Sequence, residues 1–459
     1  MIVSALAASD FPRIEPSPWA VTVGIQRTPL TVPQLIDAAL HASGLGPEEL
    51  PRYRSRIARL LQPLTGYIKE RPADVPPGEA VLYYLHERLF TRYLEPQTLI
   101  NVTLDTGNYN CVSSAVIYAI AARHAGMPVR GVVTPDHAFC RVIEDGVGTD
   151  VETTNPYGYN PGQKREFTNA FGQTGFTYVP PGKYHLRTDI DEKELIGLIL
   201  QNRISRLQRQ NRIDLAVPLA VDRYAMTGTE RIKAELIKEF INYISVLNGE
   251  RRFNEAFAFL DMVRLRWGNN DEYADILDTL LYNAAVIASR EGRGEERLTL
   301  LRSRYEKGDL GKDDYQQYRQ IVGEGLIFKY SNEHAPADSL VELEKLRSLG
   351  LLSDSTYNDY RGILQIRHAK AVAENQGDLA ALEYLKEQEL HTSADPRIQQ
   401  ALDIFTHNAA AFYHNRFVSL FQEKRYSEAE RIIQEGLQYL SGNALLQRDR
   451  QILNQAQKQ

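Results

Sequence analysis

The sequence predicts an α+β domain followed by an all-α helical repeat region. Three observations lead to this prediction. Helical periodicity gives way once, after about residue 128, to short β-type runs. Helical patterning is nearly unbroken from about Asp189 onward, and a short turn motif recurs in that second part. A chain of 459 residues also exceeds what one hydrophobic core usually supports. We therefore expect two domains, residues 1–188 and 189–459.

Composition narrows the possible functions. The net charge is −6 and no basic tract is present, so nothing favours nucleic acid or an acidic membrane as a partner. Cys111 and Cys140 are the only cysteines, too few for a disulfide framework. No apolar run is long enough to cross a bilayer, so we expect a soluble protein without a transmembrane segment. The sequence contains no metal-ligand pair and no phosphate-binding loop, so neither metal nor cofactor is expected.

The start of the chain leaves the compartment open. Residues 1–8 end in small residues, as a signal-peptide cleavage region does, but they lack a basic n-region and a full apolar stretch. A clipped signal peptide and an ordinary chain end fit equally well. Cytoplasmic and exported locations therefore both remain open.

The N-terminal part of the first domain, residues 31–95, is predicted to be mainly helical. Thr31-Val32-Pro33-Gln34 has the pattern of a capping box with proline in the first turn, and apolar residues recur at helical spacing after it. Residues 112–125 are small and apolar on nearly every side. That composition predicts a helix buried inside the domain.

Three β-type runs follow this helix, at residues 129–134, 137–143 and 147–153. Asp145-Gly146 between the last two predicts a type I′ hairpin turn. The segment 156–183 is predicted to be an ordered loop with a further strand near 176–179, and it closes a domain core of about residues 100–180.

The second half contains a loosely repeated turn between helices. An arginine or glycine opens each copy and an alanine closes it. The copies lie at 212–216, 252–256 and 425–429, with a weaker one at 377–381. Helix pairs joined in this way resemble tetratricopeptide repeats, but the period drifts toward about 40 residues rather than ~34. An ordinary helical bundle is the alternative.

Cys111 is the first candidate catalytic residue, as a nucleophile. Asn110 is a good N-cap, which would place Cys111 in the first turn of the buried helix. Unpaired N–H groups and the helix dipole there favour a thiolate. The alternative is a small, inert, buried cysteine.

The hairpin supplies partners for the thiol. If Asp145-Gly146 forms a two-residue turn, His137 lies opposite Thr154 and Phe139 lies opposite Glu152. Glu152 is then diagonal to His137, about 7 to 8 Å away at the backbone and within side-chain reach. We therefore predict that Glu152 orients the imidazole.

Two neighbours of this pair receive other roles. Asp150 lies one step further along the strand and pairs directly with Arg141, so it is only the alternative acid. Cys140 has the opposite parity from His137 and is expected in the core.

A cysteine at a helix start, a histidine opening a strand and a carboxylate on the next strand together resemble the transglutaminase-like superfamily of papain-like folds. Four segments carry the resemblance, Asn108–Ser113, Ala125–Arg130, Pro135–Phe139 and Asp150–Pro156, within a region of roughly Leu35 to Tyr178. Phe139 supplies the aromatic residue that many members have after the histidine. Thr149 and Val151, however, give no tryptophan before the acid.

The resemblance implies a catalytic triad of Cys111, His137 and Glu152, with helix-start N–H groups, helped by Asn108 or Tyr109, stabilising an oxyanion. It implies a peptidase, deamidase or acyl transferase that acts on a protein or peptide. Bacterial members also join such a core to tetratricopeptide-type helices, which would recognise a protein partner. The alternative is a non-catalytic interaction scaffold whose first domain is degenerate.

Overall fold

Helices form most of the chain in a computed structural model that describes residues 11–161, 186–291, 293–389 and 395–457. These residues divide into two compact units, Met1–Ile276 and Leu277–Gln459. The predictions for residues 1–8 and for a strand near 176–179 lie outside the described residues. None of the helices in the described part of the chain combines the length and apolar character needed to span a bilayer.

The first unit begins with helices, as predicted. Those within residues 11–161 are α1 (Pro18–Ile25), α2 (Val32–Ala42), α3 (Leu50–Leu61), α4 (Leu64–Lys69), α5 (Pro77–Arg88), α6 (Ile100–Thr106) and α7 (Cys111–His124). The capping box before α2 is confirmed, because Thr31 and Gln34 bond each other's backbone. Every residue from Val112 to Ala122 is buried, which confirms a helix enclosed by its domain.

A small sheet packs against α7. Its strands are β3 (Val129–Thr134), β4 (His137–Glu144), β5 (Val147–Val151) and β6 (Thr188–Ile190), in the antiparallel order β5-β4-β3-β6. A short parallel pair, β1 (Arg92–Tyr93) with β2 (Asn108–Tyr109), lies just before α7. Asp145 and Gly146 have φ of 49° and 81°, which fits the predicted type I′ turn.

The hairpin register is confirmed where the ladder exists. Glu144 pairs with Val147 and Arg141 with Asp150. The ladder ends at Cys140 and Val151, so the predicted pairs beyond it do not form. The chain turns away there because the Glu152 N–H donates to the Gly158 carbonyl at 2.8 Å.

Cys140 lies in the core, as its parity predicted. It is fully buried, and its Sγ donates to the carbonyl oxygen of Ala115 on α7 at 3.3 Å.

The first unit continues well past residue 188. It includes α8 (Glu192–Arg209), α9 (Ile213–Thr227), α10 (Glu230–Gly249) and α11 (Phe253–Trp267). Leu195, Ile196, Ile199 and Leu200 of α8 belong to the same apolar core as α2 and α7. This compact unit therefore extends past residue 188, because α8 completes the core of the sheet and the N-terminal helices.

The remaining helices form a repeat-like array. They are α12 (Tyr273–Arg290), α13 (Gly294–Glu306), α14 (Lys312–Glu333), α15 (Pro336–Ser348), α16 (Asp354–Gln376), α17 (Asp378–Glu389), α18 (Pro396–Gln422), α19 (Tyr426–Tyr439) and α20 (Ala444–Ala456). In the second unit the helices pack mainly against their neighbours in sequence. Each predicted repeat turn leads into a helix, and its alanine is fully buried, as seen for Ala216, Ala256, Ala381 and Ala429. The prediction of a helical repeat-like region is thus confirmed.

The position of α8 has a measurable consequence. A fragment of residues 1–276 is expected to unfold cooperatively on heating, whereas a fragment of residues 1–188 is expected to lack a cooperative transition, because it loses the apolar side chains of α8. Circular dichroism melts of both fragments make the comparison. Equal melting temperatures for the two would show that α8 is not part of the first unit's core.

Candidate active site

Cys111 is the first residue of α7. The Asn110 Oδ1 accepts the backbone N–H groups of Val112 and Ser113, both at 3.0 Å, and Ser113 Oγ accepts the Asn110 N–H at 2.9 Å. This reciprocal cap fixes the start of the helix, as the sequence predicted. The thiol is partly exposed although the helix behind it is buried. Cys111 therefore combines solvent access with the positive end of a helix dipole.

His137 opens β4 and is buried beside Glu152. Its Nε2 lies 2.6 Å from Glu152 Oε2. The other oxygen, Oε1, accepts the N–H of Thr154 at 3.1 Å and its hydroxyl at 2.7 Å. Both carboxylate oxygens are thus held, and the predicted contact between Glu152 and the imidazole is confirmed although the ladder stops short of it.

The surroundings of His137 favour its charged form. Burial lowers the pKa of the imidazole, but the Glu152 charge, hydrogen bonding to Cys111 and to Glu152, and the Cys111 charge outweigh burial and raise the pKa to about 10. Nε2 is occupied by Glu152, and Nδ1 has no hydrogen-bond partner of standard geometry among the described residues. Nδ1 is therefore the ring nitrogen left to interact with the Cys111 sulfur.

Asp150, the alternative acid, does not reach the imidazole. It accepts from Arg141 Nε at 2.9 Å and from Arg187 at 2.8 Å. Burial raises the pKa of Asp150, but the two arginines outweigh burial and lower it. Asp150 therefore belongs to an arginine cluster, as its predicted pairing with Arg141 implied.

A cleft of about 730 Å³ adjoins the thiol and the imidazole. Cys111 and His137 line it together with the turn between β3 and β4, and the rest of its wall comes from α8, α9 and α10. These helices contribute five charged residues to the wall, Arg223, Arg231, Glu235, Lys238 and Glu239, and the turn contributes Asp136. Sequence reasoning missed them, because polar residues on helices of a repeat region have the pattern of a solvated face.

Asn108 and Tyr109, predicted as oxyanion support, do not line this cleft. Tyr109 is buried, and its hydroxyl donates to the Thr154 carbonyl at 3.1 Å. The Asn108 backbone N–H donates to Thr106 Oγ1. Neither residue therefore has a contact that supports the predicted role, because the β1–β2 pairing turns the Tyr109 ring inward against Phe90. Tyr109 instead supports the segment that carries Glu152.

Two further contacts hold that segment. Thr153 Oγ1 lies 2.8 Å from Ser114 Oγ on α7, and His86 Nε2 lies 3.1 Å from the Thr153 carbonyl. Burial lowers the pKa of His86 to about 4 despite the opposing effects of Thr153 and Glu152, so the ring is neutral at pH 7. The Thr154 hydroxyl, two residues after Glu152, could be located from the sequence. Nothing in the sequence indicated that His86, on the distant α5, contacts this segment.

The two cysteines are expected to differ in reactivity. Iodoacetamide should modify Cys111 more than about tenfold faster than Cys140 at pH 7, because burial and the Glu152 charge raise the pKa of the Cys140 thiol far above its ordinary value. Peptide mass mapping of the folded protein over time measures both rates. Equal rates would contradict the placement of Cys111 in a reactive site.

Comparison with known proteins yields little likeness. No protein-family model and no curated protein matches the sequence. Among solved structures, the crystal structure of menin, described as revealing the binding site for the Mixed Lineage Leukemia (MLL) protein, is 13% identical with a TM-score of 0.29. The likeness covers 85% of this chain and 99% of that one, and at this score it supports no conclusion about fold or function.

Proposed function

We propose that this protein is a transglutaminase-like cysteine enzyme that acts on peptide or carboxamide bonds, and that its first unit contains a papain-like core. One observation carries the proposal. Cys111 at a helix start and His137 line the same cleft, and the His137 ring is held by the buried Glu152 at 2.6 Å. This is the arrangement of nucleophile, base and orienting acid that acyl transfer needs.

In the first half of the reaction the Cys111 thiolate attacks the carbonyl carbon. The developing oxyanion is stabilised by the backbone N–H of Cys111, because those of Val112 and Ser113 already donate to Asn110. The His137 imidazolium then gives its proton to the departing nitrogen as the carbon–nitrogen bond breaks. The products are a thioester on Cys111 and ammonia or an amine.

In the second half the neutral His137 removes a proton from the acceptor. Water as acceptor releases a carboxylic acid, and a primary amine releases a new amide. In either case the thiolate departs and the imidazolium is regenerated. Glu152 keeps the ring oriented throughout and stabilises its charge.

The helical repeat-like region is proposed to bind a protein partner. Its helices pack mainly against their sequence neighbours, as repeat proteins do when they present an extended surface.

Trapping of the acyl-enzyme tests the enzymatic proposal. The full chain is incubated with the glutamine dipeptide benzyloxycarbonyl-Gln-Gly, with and without hydroxylamine, and quenched in acid. Intact mass should show one thioester adduct, mapped to Cys111, while ammonia accumulates and hydroxamate forms when hydroxylamine is present. A parallel incubation with reduced casein tests for cleavage of peptide bonds. Absence of the adduct, of ammonia and of casein cleavage would favour the non-catalytic scaffold.

A further inference from the structure

Glu239 is a buried carboxyl in the wall of the cleft. It lies on α10, is 3% exposed, and lines the same cavity as Cys111 and His137. Its Oε2 accepts the side-chain amides of Gln208 at 2.6 Å and Asn242 at 3.4 Å. Its Oε1 is buried without a hydrogen-bond partner among the described residues. Burying a carboxylate oxygen without a hydrogen-bond donor costs free energy until a donor reaches it.

The cleft wall also contains three charged residues that pair with one another, Arg223, Arg231 and Glu235. Arg223 is buried in the same cleft and donates to Glu235 and to Gln201. Arg231 bonds Glu235 at 3.1 Å and Glu194 at 2.9 Å. Two arginines and two carboxylates thus neutralise each other within one network.

No cation among the described residues forms an ion pair with Glu239. Burial raises its pKa, and the only opposing effects are the hydrogen bonds from Gln208 and Asn242. Lys238 also lines the cleft, but no ion pair joins it to Glu239 in the part of the chain that the structure describes. The cleft therefore contains one buried carboxyl whose neighbours are amides.

We propose that Glu239, Gln208 and Asn242 form a specificity subsite for a positively charged side chain of the peptide substrate. An ammonium or guanidinium group would supply the donor that Glu239 Oε1 lacks. The amide oxygens of Gln208 and Asn242 are further acceptors, since both residues use their nitrogens toward Glu239. The proposal rests on the proposed function, because the same cleft would hold the reacting carbonyl at Cys111.

Peptide binding to a chain that cannot react tests this subsite. The parent protein is full-length Cys111→Ala, and the probes are fluorescent hexapeptides with one glutamine and one lysine at each other position in turn. Each lysine peptide is compared with its Nε-acetyl-lysine counterpart by anisotropy. At one position or more, the lysine peptide is expected to bind about tenfold tighter or more, as a buried charge pair would require.

Two added substitutions should remove this preference. Glu239→Gln keeps the shape and removes the charge, and Asn242→Lys, at an exposed position, places a cation of the chain itself beside Glu239. Glu230→Gln, an exposed carboxylate on α10 that does not line the cleft, is the matched control and should keep the preference. Circular dichroism confirms that each variant is folded, and Asn242→Lys provides the test if Glu239→Gln does not fold.

The outcomes separate the two proposals. Equal binding of lysine and acetyl-lysine peptides at every position, or a preference that survives both Glu239→Gln and Asn242→Lys, overturns the subsite. A lysine preference that depends on Glu239 supports the subsite even if the wild type forms no acyl-enzyme, a result that would defeat the proposed reaction alone.

Discussion

Replacing Cys111 with alanine is expected to abolish the acyl-enzyme and to lower turnover of the glutamine dipeptide by on the order of 10⁴-fold or more. Cys111 is the one sulfur-containing residue among the described residues that line the cleft, and its replacement leaves His137 and Glu152 in place. Because the side chain is partly exposed at a helix start, truncating it by one atom should leave the fold intact. Ammonia release and intact mass, measured beside the wild type, give both readouts.

Cys140→Ala is the matched control for this experiment. Cys140 is fully buried on the opposite face of β4 and bonds Ala115, so its loss should lower the melting temperature slightly and preserve turnover. If Cys111→Ala retained turnover while Cys140→Ala lost it, the nucleophile would have been misplaced.

Glu152→Gln should reduce turnover by on the order of 10³- to 10⁴-fold. The neutral amide cannot stabilise the imidazolium, and its NH₂ group can present a donor to Nε2 and thereby select the wrong tautomer. Asp150→Asn removes an equal charge two residues earlier, where the carboxylate serves Arg141 and Arg187. That variant should lose stability but keep most of its turnover. A greater loss of turnover in Asp150→Asn than in Glu152→Gln would show that Asp150, and not Glu152, orients the imidazole.

Glu152→Gln is also expected to change how the stability of the fold depends on pH. The pKa of His137 is raised to about 10 in the folded protein, above its ordinary value of about 6.5. The protonated ring therefore stabilises the fold fully below about pH 6.5, and this contribution is lost as the pH rises toward 10. Thermal melts at pH 6 and pH 9.5 should show a smaller difference in Glu152→Gln than in the wild type. An unchanged difference would show that Glu152 does not control the charge of His137.

The local parts of the site were predictable because short-range rules determine them. The Asp145-Gly146 turn fixes the register of the hairpin, and the register brings Glu152 toward His137. Asn110 likewise places Cys111 at the start of a helix. The end of the ladder was not predictable, since it depends on the Gly158 carbonyl, which a later loop brings to Glu152.

The parts that depend on distant contacts could not be obtained from periodicity. An apolar stripe on α8 looks the same whether it faces another repeat helix or the core beneath the sheet, so periodicity alone does not show that α8 belongs to the core of the first unit. Glu239 has the helical spacing of a solvated residue, and only the packing of α10 shows that it is buried. The inward turn of Tyr109 depends on strand pairing between β1 and β2, which are too short to give a pattern.

The composite wall of the cleft also sets an order of events during synthesis of the chain. Glu152 leaves the ribosome 90 residues before Asn242, the last residue that lines the cleft. At the usual pace of translation this interval is roughly 5 to 20 s. During that time the nascent chain already carries Cys111, His137 and Glu152, but the wall that α8 to α10 form beside the thiol is still incomplete. The Cys111 thiol is therefore more exposed during translation than in the folded protein, where these helices wall the cleft beside it.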